Sequence, residues 1–329
     1  MSSEETQTLV RAALKLAAGA LGYSAYVNDS TASAIASMLV ALGTVAWGWY
    51  SARKAAESKA ALNSLAIGAK PCLALPRVLA KTSISWPSYQ GLARPVGVSS
   101  DGKVAVYVDA SLGDAALQNA KDLLLDAPRI VAANDAQFGT RGQRVNVIIF
   151  ALGGATDGTG GADHMGCNYT EGQNIEVCAS FGNSMRCSAL FEAELSECSM
   201  GGNVCGLSTG ESLSRWLANV IGNNVLADFA TAPGWAADGY RNFVDTTAQS
   251  DQDSFATGCG MAFISWLRSL DIPLPDITKA VVSLGDSGTL AQVYGEVTGD
   301  PVVKAWSQFL TACKALPNGI QNDDPFAKP

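Results

Sequence analysis

Four side chains carry the chemistry that this sequence offers. In LFEAELSECSM, residues 190–200, Glu194 and Glu197 stand three apart and share a face if the segment is helical. Glu211 follows in GESLSR, residues 210–215, and His164, the only histidine of the chain, precedes them in GADHMGC, residues 161–167. Gathered around one point, three carboxylates and an imidazole could hold a harder divalent ion. They could also share a proton between close carboxyls, raising their pKa values. Glu194 is then the candidate base, His164 a candidate acid/base group or ligand, and Glu197 and Glu211 candidate metal ligands. Apart from such an ion, no cofactor is expected. The plainer alternative is a solvated acidic face made of Glu192, Glu194 and Glu197, favoured near a helix start by the backbone dipole. For His164, beside Asp163, the plainer alternative is a structural hydrogen-bond partner.

The elements that must position these groups can be read from periodicity. Short apolar runs predict strands at 104–108 (VAVYV), 145–152 (VNVIIFAL) and 175–180 (IEVCAS). Apolar spacing predicts a helix over 115–133, with Pro128 near a kink or break. Further helices are expected at 185–200, 209–227, 254–270, 274–285, 288–298 and 301–315. Strands first and helices after describe an α+β domain with a small sheet followed by a helical half. Between the strands, GGATDGTGGAD at 153–163 lacks the Gly-Lys-Ser/Thr ending of a phosphate-binding loop and is read as a flexible connection.

This order of elements and the degenerate motif at 190–215 resemble the core of a gluzincin, a zincin-like metallopeptidase, over about residues 103–230. In that family a His-Glu-x-x-His helix supplies two zinc ligands and a general base, and a glutamate from the next helix completes the site. A frame starting at Ala193 puts alanine at the first ligand position, Glu194 at the base and Glu197 at the second ligand. Glu211 then stands for the third ligand, with only thirteen residues between it and Glu197. Both expected imidazoles are missing. The resemblance therefore implies an inactive metallopeptidase-like binding or structural module, not a functional zinc peptidase. The alternative is an active hydrolase, either a metal-dependent peptidase or a carboxylate-pair glycosidase acting on the cell wall.

The first 65 residues are of another kind. They carry five Lys/Arg against four Asp/Glu, whereas the remainder carries 17 against 26, an acidic balance that argues against a nucleic-acid partner. No charge falls between positions 30 and 52, a run long enough for a bilayer-spanning helix. Trp47, Trp49 and Tyr50 close it, followed by Arg53 and Lys54, as an interfacial belt and cationic flank would. Segment 9–27, with Arg11 and Lys15, is a weaker span or an interfacial helix, and Asn28-Asp29-Ser30 has turn chemistry. A transmembrane hairpin is expected, anchored in the lipid bilayer and available for self-association; a soluble hairpin is the alternative. Cations flank both outer ends, which places these ends, and the large domain with them, on the cytoplasmic side. Residues 8–56 resemble the small phage holin-type membrane hairpins. The resemblance implies a membrane-anchored phage or prophage protein, with a holin-like pore former regulated by its large domain as a further alternative. The domains read as 1–65 hairpin, 66–102 a linker with four prolines, and 103–329 the acidic domain.

Eight cysteines show no CxxC pair, and five fall between 167 and 205; local disulfides and buried thiols both remain open. Gly285-Asp286-Ser287-Gly288 matches a serine-peptidase nucleophile motif but reads as one helix ending and another being capped by Asp286 or Ser287. Asp245, Asp251 and Asp253 lack calcium-loop spacing, and Asp253 suits a helix N-cap. Trp216, Trp235 and Trp266 read as core.

Overall fold

The computed structural model describes residues 84–327, except 159, 169, 171, 202 and 203. The expected membrane hairpin, with Trp47, Trp49, Tyr50, Arg53 and Lys54, lies outside the described residues. Among the described residues, no helix is long and apolar enough to cross a membrane. The chain separates into two units between Lys81 and Thr82.

The second unit is α+β: a small mixed sheet, then a helical half. The strands are β1 (Ala93–Val98), β2 (Val104–Asp109), β3 (Val145–Phe150), β4 (Ala162–His164) and β5 (Gln173–Cys178), in the order β1-β2-β3-β5-β4. The three central strands run parallel, and the two edge strands are antiparallel to their neighbours. Central strands buried on both faces need apolar residues at nearly every position, which is why VAVYV and VNVIIF stand out in sequence. Val104, Val106, Val147, Ile149, Ile175 and Val177 face one core, while Ile148 and Phe150 face Trp86 and Tyr89 on the other side.

The helices are α1 (Gly113–Phe138), α2 (Ser184–Met200), α3 (Ser208–Ile221), α4 (Ala232–Ala237), α5 (Ser254–Ser269), α6 (Leu274–Leu284), α7 (Leu290–Thr298) and α8 (Ala305–Ala315). α1 continues through Pro128 instead of breaking there, because Ala127, Ile130 and Val131 on either side of it are buried in the sheet core. α2 lies between α1 and α3; its N-cap Asn183 accepts from the Arg186 amide. The helical half packs around Trp235, Phe263, Trp266 and Phe309, with Trp235 and Phe309 stacked. α3 and α5 approach closely because Gly260 has no side chain to strike Ser212. Asp253 caps α5 as its sequence context suggests.

Several local expectations differ from the structure; the helix read over 209–227, for one, ends at Ile221, ahead of Asn223 and Asn224 with positive φ. Strand β1 falls inside the range read as a linker; Pro95 hid it, being tolerated here on an edge strand beside an irregularity in the pairing. The glycine-rich stretch 153–163 does not stay a connection to its end, because Ala162 and Asp163 begin β4. Helix α7 is capped by Thr289 with Gln292 in a reciprocal capping box, not by Asp286 or Ser287.

Candidate functional site

His164 ends β4, and β4 pairs with β5 through the register His164 to Ile175. That edge position points the imidazole at α2, where Nε2 lies 3.0 Å from Glu197 Oε2. Nδ1 lies 3.2 Å from the Gly166 carbonyl, which can only accept, so Nδ1 carries a proton. With acceptors facing both ring nitrogens, the imidazolium satisfies both at once. Burial works against that charge, but the hydrogen bond and charge of Glu197, the Gly166 carbonyl and Asp163 outweigh it and raise the His164 pKa.

Glu197 is only 5% exposed, and its second oxygen accepts from Ser214 Oγ at 2.8 Å. Ser214 belongs to α3, which also carries Glu211 at its start and Arg215 one turn later, 3.9 Å from Glu211. Burial, then repulsion from Glu197, pushes the Glu211 carboxyl well above its usual range, with Arg215 pulling the other way. Glu194 is pushed up likewise, first by burial and then by Glu197, Glu211, Asp163 and Asp251. Asp163, His164, Glu194, Glu197, Glu211, Arg215 and Asp251 line one cleft of about 560 Å³, together with Ala193 and the apolar side chains Leu152, Leu190, Leu226 and Phe229.

The structure thus brings His164, Glu194, Glu197 and Glu211 together. One donor atom each from His164, Glu194 and Glu197 lie within 4.8 Å of one another, so these three could hold a divalent ion. The donor set has one imidazole, and the position that would carry another in the peptidase frame is Ala193, which opens onto the cleft as a methyl group. Without an ion, His164 pairs with Glu197, while burial and mutual repulsion shift Glu194 and Glu211 toward their protonated forms. Such a cleft can receive a cationic group in exchange for protons.

Sequence reasoning missed Ser214, Arg215 and Asp163 as members of the site. A signal existed for the first two, since Ser214 and Arg215 stand three and four residues beyond Glu211 and so share its helix face. Asp251, considered for calcium, lines the cleft instead. The solvated acidic face is overturned: Glu192 is 0% exposed, and the three glutamates lie past the first turn of α2, beyond the reach of its N-terminal dipole. Glu192 turns toward α1, where burial raises its pKa strongly; Ser196 Oγ donates to one oxygen at 3.1 Å, and the other has no partner among the described residues. Glu176, also unforeseen, is 0% exposed on β5 and accepts from Ser88 N, Ser88 Oγ and Tyr89 N at 2.9, 2.7 and 2.5 Å. It fastens the entering chain to the sheet. Cys167 and Cys205 form a disulfide, and Cys178, Cys187, Cys198, Cys259 and Cys313 are buried thiols, so both cysteine alternatives occur in one domain.

Residues 4–54 match the model of the Bacteriophage holin Pam3 gp28 family. The N-terminal segment is holin-like. This match covers the sequence in which the two apolar segments were read, links the chain to bacteriophage and points to membrane association. It stops well short of the cleft-bearing unit. No curated protein matches the chain.

Proposed function

We propose that this chain is a membrane-anchored phage protein whose large domain is a zincin-like module without peptidase chemistry, using its acidic cleft to bind a cationic group. The observation that carries this reading is the pairing of Glu197 with His164 and Ser214 in a cleft where Ala193 occupies the first ligand position. A gluzincin-type zinc site takes two imidazoles from its helix; here that helix supplies none, and its first ligand position is Ala193. The zincin-like reading is supported by the antiparallel edge strand β4 beside β5, directly ahead of α2, and by a glutamate-bearing helix after it. The anchor is the holin-like hairpin in the lipid bilayer, with Trp47, Trp49 and Tyr50 at the interface and Arg53 and Lys54 beside it on the cytoplasmic side, where the domain also sits. Self-association of the hairpin tethers several clefts to one patch of membrane.

The test uses the full disulfide-bonded chain in detergent. Metal content below stoichiometric, peptide hydrolysis no faster than in Glu194→Gln, and binding of a short arginine-rich peptide that weakens as pH falls are expected. One metal per chain, lost in both Glu194→Gln and Glu197→Gln, overturns the reading. A second reading is favoured by one observation: Glu194, with its pKa raised, sits beside Glu197, as a general acid sits beside its partner in a carboxylate-pair glycosidase. Release of soluble fragments from purified peptidoglycan, abolished by Glu194→Gln, would select it.

A further inference from the structure

His164 belongs to a second group of potential ligands as well. One donor atom each from His164, Cys167 and Cys205 lie within 4.8 Å of one another. Cys167 follows β4 by three residues and is half-buried; Cys205 lies buried in the short turn Val204–Gly206 between α2 and α3. The two sulfurs therefore join the strand bearing His164 to the turn leading into the helix bearing Glu211 and Ser214. Gly210 fixes that turn closely, since any side chain there would strike the Val204 carbonyl.

We propose that, when Cys167 and Cys205 are reduced, their thiolates and His164 form a binding site for a zinc-class divalent ion, and that disulfide formation abolishes it. The donor types are those of Cys2His zinc sites, whose ligand atoms lie about 2.0–2.3 Å from the ion and so fit within such a span. Glu197, with Oε2 at 3.0 Å from His164 Nε2, is a fourth donor within reach. Asp163 and Glu194 nearby favour a cation and disfavour isolated thiolates, so the ion itself drives the thiols to release their protons. The reductive step is thiol–disulfide exchange: the protein disulfide and two low-molecular-weight thiols give two cysteine thiols and one small disulfide. A cytosolic glutathione pool supplies that reductant if the domain faces the cytoplasm. Four other described thiols are poorly suited to such a role. Cys187 and Cys313 are pushed up to about 12 by burial, and Cys198 and Cys259 are raised by burial too.

The site goes beyond the cationic-group reading, and its test separates the two. The full chain in detergent, reduced with a phosphine, is titrated with Co²⁺. The expected result is a near-ultraviolet thiolate-to-cobalt charge-transfer band saturating at one ion per chain. It disappears in Cys167→Ser and Cys205→Ser and on adding oxidised glutathione, and it persists in Glu194→Gln. His164→Gln weakens the affinity by at least the ~10–100-fold that even outer partners of a metal ligand contribute. Absence of the band in the reduced chain, or its persistence in the double serine variant, overturns the proposal. Far-ultraviolet circular dichroism checks folding; should Cys205→Ser misfold, the half-exposed Cys167→Ser alone decides.

Discussion

Helix α2 carries acidic side chains on two sides, and the two sides solve burial differently. Toward α1, Glu192 is shut away from solvent with a single hydroxyl donor, and the bare oxygen beside it leaves protonation as the cheapest state. Toward the cleft, Glu197 has a partner on each oxygen, one from an edge strand and one from the next helix, while Glu194 and Glu211 crowd around it. The first arrangement can only hold a proton. The second can exchange protons for another cation, because it opens onto a cleft.

Perturbations should separate these sides. The largest effect is expected for Glu197→Ala, which leaves His164 and Ser214 without their shared acceptor; a loss of about 2–4 kcal/mol in denaturant unfolding is predicted. Glu176→Ala, which frees three donors from the segment covering the far face of the sheet, should cost about 2 kcal/mol in the same measurement. Smaller and opposite in sign, Glu194→Gln should stabilise the domain by about 1 kcal/mol at pH 8 and not at all near pH 4.5. The sign follows from the raised carboxyl pKa. Below about 4.5 both folded and unfolded states hold the proton; as pH climbs toward the folded-state value, the unfolded chain ionises first and stability falls. Glu192→Gln should show the same pH trend, reduced by a new amide that lacks a partner. It should leave arginine-peptide binding unchanged, whereas Glu194→Gln weakens it. Equal effects of the two variants on binding would erase the distinction between the sides.

Much of the fold could be read from the chain, for a reason visible in particular residues. VAVYV and VNVIIF are central parallel strands, and their near-continuous apolar character announces burial on both faces. Strands β1 and β4 did not announce themselves: one contains a proline, the other is three residues long and begins in a glycine-rich stretch. Their pairing is set by neighbours distant in sequence. The site was legible to the extent that helical spacing binds it, so Glu194 and Glu197 could be paired; Glu211, on the next helix, was added through the gluzincin-like frame and not through spacing. Spacing did not reveal that Glu192 turns inward, since it packs toward α1 with the Ser196 hydroxyl as its one donor. Nor did it show which cysteines meet, because Cys167 and Cys205 stand 38 residues apart and are joined by the packing of a strand end against a turn.

The pairing of His164 with Glu197 is the centre of this account, and the chain offers a direct reporter, since His164 is its only histidine. Its imidazole resonances, followed by nuclear magnetic resonance against pH in the disulfide-bonded chain, report the cleft without assignment ambiguity. The predicted result is a titration midpoint above the ordinary 6.5, falling in Glu197→Gln and unmoved by added zinc. Stability from the pair should then be complete below about 6.5 and be lost as pH rises through that midpoint. A midpoint at or below 6.5, identical in Glu197→Gln, would contradict the account.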